Sequence, residues 1–307
     1  MGSGSWSASD WTTYASTAKT KSTSAIFTSR TMSTNLNPKD VTVRESRDSV
    51  DNPNSTALIV ALDVTGSMGI VADNLTKEGL GVLFQEVLDR KPITDPHIMF
   101  MGVGDAAYDS APLQVSQFEA DNRVIEQLNE LYLEKGGGGN NTESYDLPWY
   151  FASQHTSIDC FEKRNKKGYL FTVGDEFVPA GLTKHQIQTI FGYTPQSDLD
   201  AKTLYEMACK MYNVFHVIVE EGSCYRHYGS RVTEDWRDFM GQNVLNLSDH
   251  TKLSEVIVSA IQVREGADKE MVAKSWSGTT SLVVAHAIKG MSTSVAPRGA
   301  TTGVVRL

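Results

Sequence analysis

The chain has 307 residues, 40% hydrophobic and 21% charged, with a net charge of −9. That is enough for one large α/β domain or two small ones of ordinary globular composition, and the negative balance disfavours broad nucleic-acid binding. No apolar run approaches the roughly 18 residues of a membrane span, and no apolar secretory segment opens the chain, so the sequence reads as cytoplasmic. Cys160, Cys209 and Cys224 are an odd number without paired spacing, which suits a reducing compartment. Cys224-x-x-His227 is half of a zinc pattern whose second half is missing.

Residues 1–35 hold 17 Ser or Thr. Such a segment has too little apolar surface to fold alone. Trp6, Trp11, Tyr14 and Phe27 are spaced through it, and would dock it along the main domain or a neighbouring subunit. We divide the chain into a Ser/Thr-rich N-terminal arm (1–55), a main domain (56–264), a helical extension (265–290) and a tail (291–307).

From residue 56 the pattern becomes regular. Ala57–Leu62 is a continuous apolar run of strand length. Leu75, Leu80, Leu83, Phe84, Val87 and Leu88 predict a helix over 70–90. After Pro92 and Pro96, His97–Val103 reads as a second buried strand, and Leu113–Phe118 as a short third. Val124, Ile125, Leu128, Leu131 and Tyr132 share one helix face. The loop 136–142 reads GGGGNNT, and a helix follows through Tyr150 and Phe151, with Pro148 in its tolerated first turn. The basic run at 162–167 reads as a solvated loop.

Tyr169–Val173 is the next strand and ends on Gly174-Asp175-Glu176. Residues 183–191 and 199–212 predict helices, Val214–Val219 and Asn243–Leu247 strands, and 250–264 a helix. One or two further helices fill 266–290. Strands apolar throughout, alternating with helices, define an α/β fold with a parallel sheet covered on both faces. In such sheets the binding crevice lies at the carboxyl ends of the strands. His97 and His216 fall at or within strands and read as packed.

Small polar groups collect at that edge. Asp63, Thr65 and Ser67 follow the first strand, Asp105 the second and Asp175 the fourth; Thr142 follows the glycines. Converging carboxylates repel one another, so a cation belongs between them. Hydroxyl and carboxylate oxygens select a hard cation such as Mg²⁺, with Mn²⁺ or Ca²⁺ as alternatives. In D-x-T-x-S, alternate side chains can face one ion, and Gly66 permits the tight path. Gly136–Gly139 permit close approach of backbone to ion and partner.

Asp63-x-Thr65-x-Ser67 resembles the D-x-[ST]-x-S motif of von Willebrand factor A (VWA) domains. Gly138-Gly139-Asn140-Asn141-Thr142 is similar to the loop that supplies that family's threonine, and Asp175 stands where the family has an aspartate after its fourth strand. The order and spacing match over about residues 56–264, in the manner of intracellular bacterial or phage members. The resemblance implies a Rossmann-like, doubly wound fold carrying a metal-ion-dependent adhesion site (MIDAS). Thr65, Ser67 and Thr142 would bind Mg²⁺ directly, Asp63 and Asp175 mostly through water, and a partner's Asp or Glu would complete the octahedron. Thr65 replaces the commoner serine. Glu176 replaces a frequent glycine and adds negative charge. Asp105, Glu176, Gly66 and Gly139 are near-site candidates; Asp105 also reads as a cap or loop residue.

The implied function is Mg²⁺-dependent protein binding, not catalysis, with neither nucleic acid nor membrane as partner. Intracellular relatives work with MoxR-type AAA+ ATPases. A second reading is a structural protein whose arms join copies into homo-oligomers. A third takes Asp63 as the nucleophile of a haloacid-dehalogenase-type phosphotransferase. Against the third, position 65 is not Asp, Val64 stands where phosphorylated-aspartate pumps have Lys, and no acid occurs at 178–180.

Overall fold

In the computed structural model of the chain, residues 4–134 and 141–292 are described. The strands are β1 (Arg44–Ser46), β2 (Thr56–Asp63), β3 (Pro96–Val103), β4 (Leu113–Val115), β5 (Thr156–Ile158), β6 (Gly168–Gly174), β7 (Gly181–Leu182), β8 (Leu199–Asp200), β9 (Tyr212–Val219) and β10 (Val244–Leu247). Six form the central sheet, in the order β10-β9-β6-β2-β3-β4. β1 with β5 and β7 with β8 make two small ribbons. The protein is therefore α/β, with a mostly parallel six-stranded sheet flanked by helices.

β4 departs from the expected parallel order and runs antiparallel to β3. Residues 104–112 between them are too few for a parallel crossover, which takes about a dozen residues or more. β2 lies centrally, between β3 and β6. All its residues are buried, which explains its unbroken apolar character. Leu58, Val60 and Leu62 enter one core layer, and Ala57, Ile59 and Ala61 the other.

The predicted helix over 70–90 is present as Gly69–Asn74 and Leu80–Arg90, joined by a π-helical stretch at Leu75–Gly79. The Ser254 hydroxyl donates to the Gly79 carbonyl at 2.6 Å, an insertion of the kind that disturbs a regular ladder. The helix expected to reach Tyr132 ends at Asn129. Gln114 of β4 binds both backbone groups of Tyr132, accepting from its N–H at 2.8 Å and donating to its carbonyl at 2.9 Å, and so draws the chain away.

Residues 163–167 form the mostly exposed loop that is expected, and its cations are engaged. Lys163 pairs with Asp159 at 2.6 Å and Arg164 with Asp48 at 2.7 Å. Lys166 pairs with Glu265 at 3.2 Å, and the Lys167 ammonium donates to the Cys209 carbonyl at 2.5 Å. These contacts fasten the start of β6 to neighbouring segments. Two helices absent from the sequence reading, Ser223–Tyr228 and Ser230–Met240, lie between β9 and β10. Ser230–Met240 buries Val232, Trp236 and Met240 from an otherwise polar sequence.

The N-terminal arm holds a helix at Ala8–Ala18 and packs on its own domain. Trp6 stacks on Phe84 with ring centroids 4.1 Å apart. The tail from residue 293 lies outside the described residues. Among the described residues no helix is long and apolar enough to cross a membrane.

From β2 the chain pairs β3 on one side, and later returns to pair β6 on the other. The connections leaving β2 and β6 therefore diverge. In open α/β sheets this divergence opens a crevice at the carboxyl ends of the strands. Asp63 closes β2, and Asp175 immediately follows β6.

Candidate metal centre

Asp63 is 1% exposed and Thr65 6% exposed. Asp63 Oδ1 accepts from the Thr65 backbone N–H and from the Thr65 hydroxyl, both at 2.8 Å. Asp63 Oδ2 accepts from the Tyr145 hydroxyl at 3.3 Å. Gly66 then turns the chain with φ of +39°, a left-handed value that side chains disfavour. This turn begins the short 3₁₀ segment Gly66–Met68 and leaves Ser67 at the surface.

The loop carrying Thr142 reaches the same edge. The Asn141 carbonyl accepts from Phe177 N–H at 3.2 Å, and Glu143 Oε1 lies 3.2 Å from the Thr65 hydroxyl oxygen. Thr142 is thus bracketed between the segments leaving β2 and β6. Gly139, with the rest of 135–140, lies outside the described residues. Ser144 N–H donates to the Gly104 carbonyl at 3.2 Å, which joins the loop to the end of β3.

Asp175 is 3% exposed, and its Oδ2 accepts from Cys224 N–H at 2.7 Å and Tyr225 N–H at 3.4 Å. Ser67 meets the same segment, its hydroxyl oxygen 3.4 Å from the Ser223 hydroxyl. Residues 223–225 therefore link Ser67 to Asp175. Asp105 is a turn residue beside this group: its Oδ1 accepts from Ala107 N–H at 2.7 Å, and its own N–H donates to Asp109 at 2.7 Å.

Beneath the edge, His216 stacks on Trp236 at 3.6 Å, and Tyr145 meets His216 edge-on at 4.9 Å. Burial holds His216 well below the usual imidazole range, so it brings no positive charge. It is a packed residue, and so is the fully buried His97.

The electrostatics disfavour bare carboxylates here. Burial pushes the Asp63 carboxyl up to about 7 against the hydrogen bonds from Thr65, and the Asp175 charge adds to the rise. Burial, with the charges of Asp63 and Glu176, pushes Glu143 up to about 10. Burial, with Asp63 and Asp175, pushes Glu176 up to about 8. Burial raises Asp175 too, opposed by the Cys224 and Tyr225 N–H groups. Glu143 Oε2 and Glu176 Oε2 are buried without a hydrogen-bond partner. The Thr65 hydroxyl proton is shared between Asp63 Oδ1 and Glu143 Oε1, and Asp63 Oδ1 also accepts from the Thr65 backbone N–H.

Oxygens so placed ask for protons or for an ion, and buried carboxylates without either are costly. The donor set is all oxygen, which fits Mg²⁺, Mn²⁺ or Ca²⁺ rather than zinc. The carboxylates themselves do not close into a tight group of three. An ion held here would draw on hydroxyls and water as well.

A second group was not anticipated. Glu221, Asp249 and His250 place ligand atoms within 4.8 Å of one another, beyond the carboxyl ends of β9 and β10. Glu221 Oε2 is 2.8 Å from His250 Nδ1. These residues lie on two separate connections, so no spacing pattern announces them. Glu143 and Tyr145 were also missed, although Glu143 directly follows Thr142. Cys224 and His227 join no ligand group among the described residues.

No family model and no curated protein sequence matches the chain. Among solved structures, the chain is similar to the pilus adhesin SpaC from Lactobacillus rhamnosus GG in its open conformation. The TM-score is 0.45 at 10% identity, over 71% of this chain and 31% of that one. A second structure of that adhesin gives 0.42 at 11% identity, over 72% and 32%. The chain thus spans about a third of the adhesin's length. A likeness this weak carries no functional information.

Proposed function

We propose that the chain is a Mg²⁺-dependent protein-binding module with a Rossmann-like, VWA-type fold, and that binding rather than catalysis is its role. The observation that carries this reading is the placement of Asp63 and Asp175 at the ends of adjacent strands β2 and β6, where the connections diverge, with the loop around Thr142 joined to both. Thr65, Ser67 and Thr142 would hold the ion through hydroxyls, and Asp63 and Asp175 through water. The bound ion supplies a Lewis-acidic point that recognises a carboxylate. A partner presenting Asp or Glu is the matching chemistry, and a MoxR-type AAA+ ATPase is the partner class that the VWA resemblance brings.

The chain's own groups prepare the crevice. Thr65 orients Asp63 by two hydrogen bonds, and Tyr145 holds the other carboxylate oxygen. Residues 224 and 225 fix Asp175 by their backbone N–H groups. As a phosphoryl acceptor Asp63 has less support, because it is 1% exposed and both its oxygens are engaged. Packing of Trp6 on Phe84 within one chain is compatible both with an adaptor and with arms that embrace neighbouring copies. Size-exclusion chromatography with Mg²⁺ and with EDTA separates those two: an adaptor elutes as a small species in both.

The test is a pull-down with the full chain immobilised, in Mg²⁺ and in EDTA, compared with Asp63→Ala and Thr142→Ala. A partner retained in Mg²⁺, released by EDTA and lost in both variants is the expected result. Equal recovery by all three proteins refutes the reading, and acyl-phosphate trapping on Asp63 would establish phosphotransfer instead.

A further inference from the structure

We propose that Glu143 is a built-in carboxylate ligand of this centre, filling from within the chain the coordination position that a partner's acidic side chain would otherwise take. The inference rests on the metal-centre reading above and names how that site is regulated.

Three features of Glu143 point this way. First, the residue is 2% exposed, and its carboxylate lies against Thr65 at the end of β2. Second, Oε1 has the Thr65 hydroxyl at 3.2 Å, while Oε2 is buried with no hydrogen-bond partner. A buried carboxylate oxygen left without a donor needs either a proton or a compensating positive charge, and a bound cation supplies the latter. The charges acting most strongly on Glu143 are all carboxylates: Asp63, Glu176, Asp109 and Asp105. Third, its position is fixed by its surroundings. The Glu143 carbonyl accepts from Tyr145 N–H at 2.9 Å, Ser144 N–H is tied to Gly104, and the Ser144 hydroxyl accepts from Ala106 N–H at 2.9 Å.

The spacing suits coordination. In a Mg²⁺ octahedron with metal–oxygen distances of about 2.1 Å, neighbouring ligand oxygens lie about 3 Å apart. Thr65 Oγ1 and Glu143 Oε1, at 3.2 Å, can occupy neighbouring vertices of one ion. A direct carboxylate binds the ion more tightly and lowers its appetite for another anion, because ligand charge tunes both. An outside carboxylate must then displace Glu143. The site is self-capped, and partner binding is coupled to withdrawal of the loop that carries Glu143.

The probe is Mn²⁺, followed by electron paramagnetic resonance for affinity and by water-proton relaxation for inner-sphere water, on the full chain and on Glu143→Gln and Asp63→Ala. Glu143→Gln is expected to bind Mn²⁺ about tenfold more weakly. It should also show higher relaxivity per bound ion, because water enters the freed position. Acetate, standing for a partner carboxylate, should lower that relaxivity in the variant and leave the wild type unchanged at the same concentration. If Asp63→Ala abolishes Mn²⁺ binding while Glu143→Gln keeps wild-type affinity and relaxivity, the built-in ligand is refuted and the metal centre stands. If Asp63→Ala binds as wild type, the metal-centre reading itself fails. Circular dichroism checks folding. Should Glu143→Gln not fold, Glu143→Asp keeps the charge, withdraws its oxygens by one methylene, and is expected to show the same loss of affinity and gain of relaxivity.

Discussion

Asp175 lies directly against Gly222: a Cβ on residue 222 would fall 2.2 Å from Asp175 Cγ and Oδ2. The contact lets the segment after β9 wrap the carboxylate and present the N–H groups of Cys224 and Tyr225 to it. Gly222→Ala must therefore push Asp175 aside. We expect a loss of about 1–3 kcal/mol in stability, the usual cost of overpacking. We also expect at least about tenfold weaker Mg²⁺ binding, as when an outer support of a metal site is lost. Thermal melts in EDTA and a Mg²⁺ titration separate the two effects. A variant with wild-type Mg²⁺ affinity would remove Asp175 from the centre.

A second glycine secures the N-terminal arm. Trp11 covers Gly81 so closely that a Cβ there would meet the indole nitrogen at 1.9 Å. Gly81→Ala is expected to lift Trp11 and loosen the arm, at about 1–3 kcal/mol. Limited proteolysis should then cut within residues 4–35 earlier than in the wild type, and tryptophan emission should shift to longer wavelength. An unchanged cleavage pattern would mean that the arm's seat does not depend on this contact.

The buried carboxyls give the metal-free protein a defined pH dependence. Asp63, Glu176 and Glu143 lie at about 7, 8 and 10 in the fold. In the unfolded chain they return to about 4. Between these values the folded state holds protons that the unfolded state has released, so stability falls as pH rises. In EDTA the melting temperature should drop progressively from pH 5 to pH 9. Saturating Mg²⁺ should flatten that slope, because the cation takes the place of the protons. A melting temperature that rises with pH in EDTA would contradict the assigned environment.

The sheet, and the placement of Asp63 and Asp175 at its edge, are legible in the sequence. Ala57–Leu62 is apolar at every position because both faces of β2 are covered, and its aspartate is displaced from that run by a single residue. Asp175 is found in the same way, at the end of β6. Helix ends are less legible. Gln114 draws Tyr132 out of its predicted helix by two backbone hydrogen bonds, a contact across 18 residues that local periodicity cannot carry. The basic run at 163–167 is the surface loop that the sequence predicts, but its pairing with Asp159, Asp48 and Glu265 is visible only in the fold. Glu143 escapes notice for a different reason. A hydroxyl motif asks for no further acid, and only burial shows that this one faces inward. The group at Glu221, Asp249 and His250 is assembled across two connections and has no sequence spacing at all.

The most direct test is a Mg²⁺ titration by calorimetry on four proteins: the wild type, Asp63→Ala, Thr142→Ala, and a variant carrying Glu221→Gln with His250→Ala. One ion should bind the wild type and the Glu221/His250 variant alike. Thr142→Ala should bind more weakly, and Asp63→Ala should not bind. Equal binding by Asp63→Ala and the wild type, with binding lost in the Glu221/His250 variant, would place the ion at the far end of the sheet and contradict a metal centre between β2 and β6.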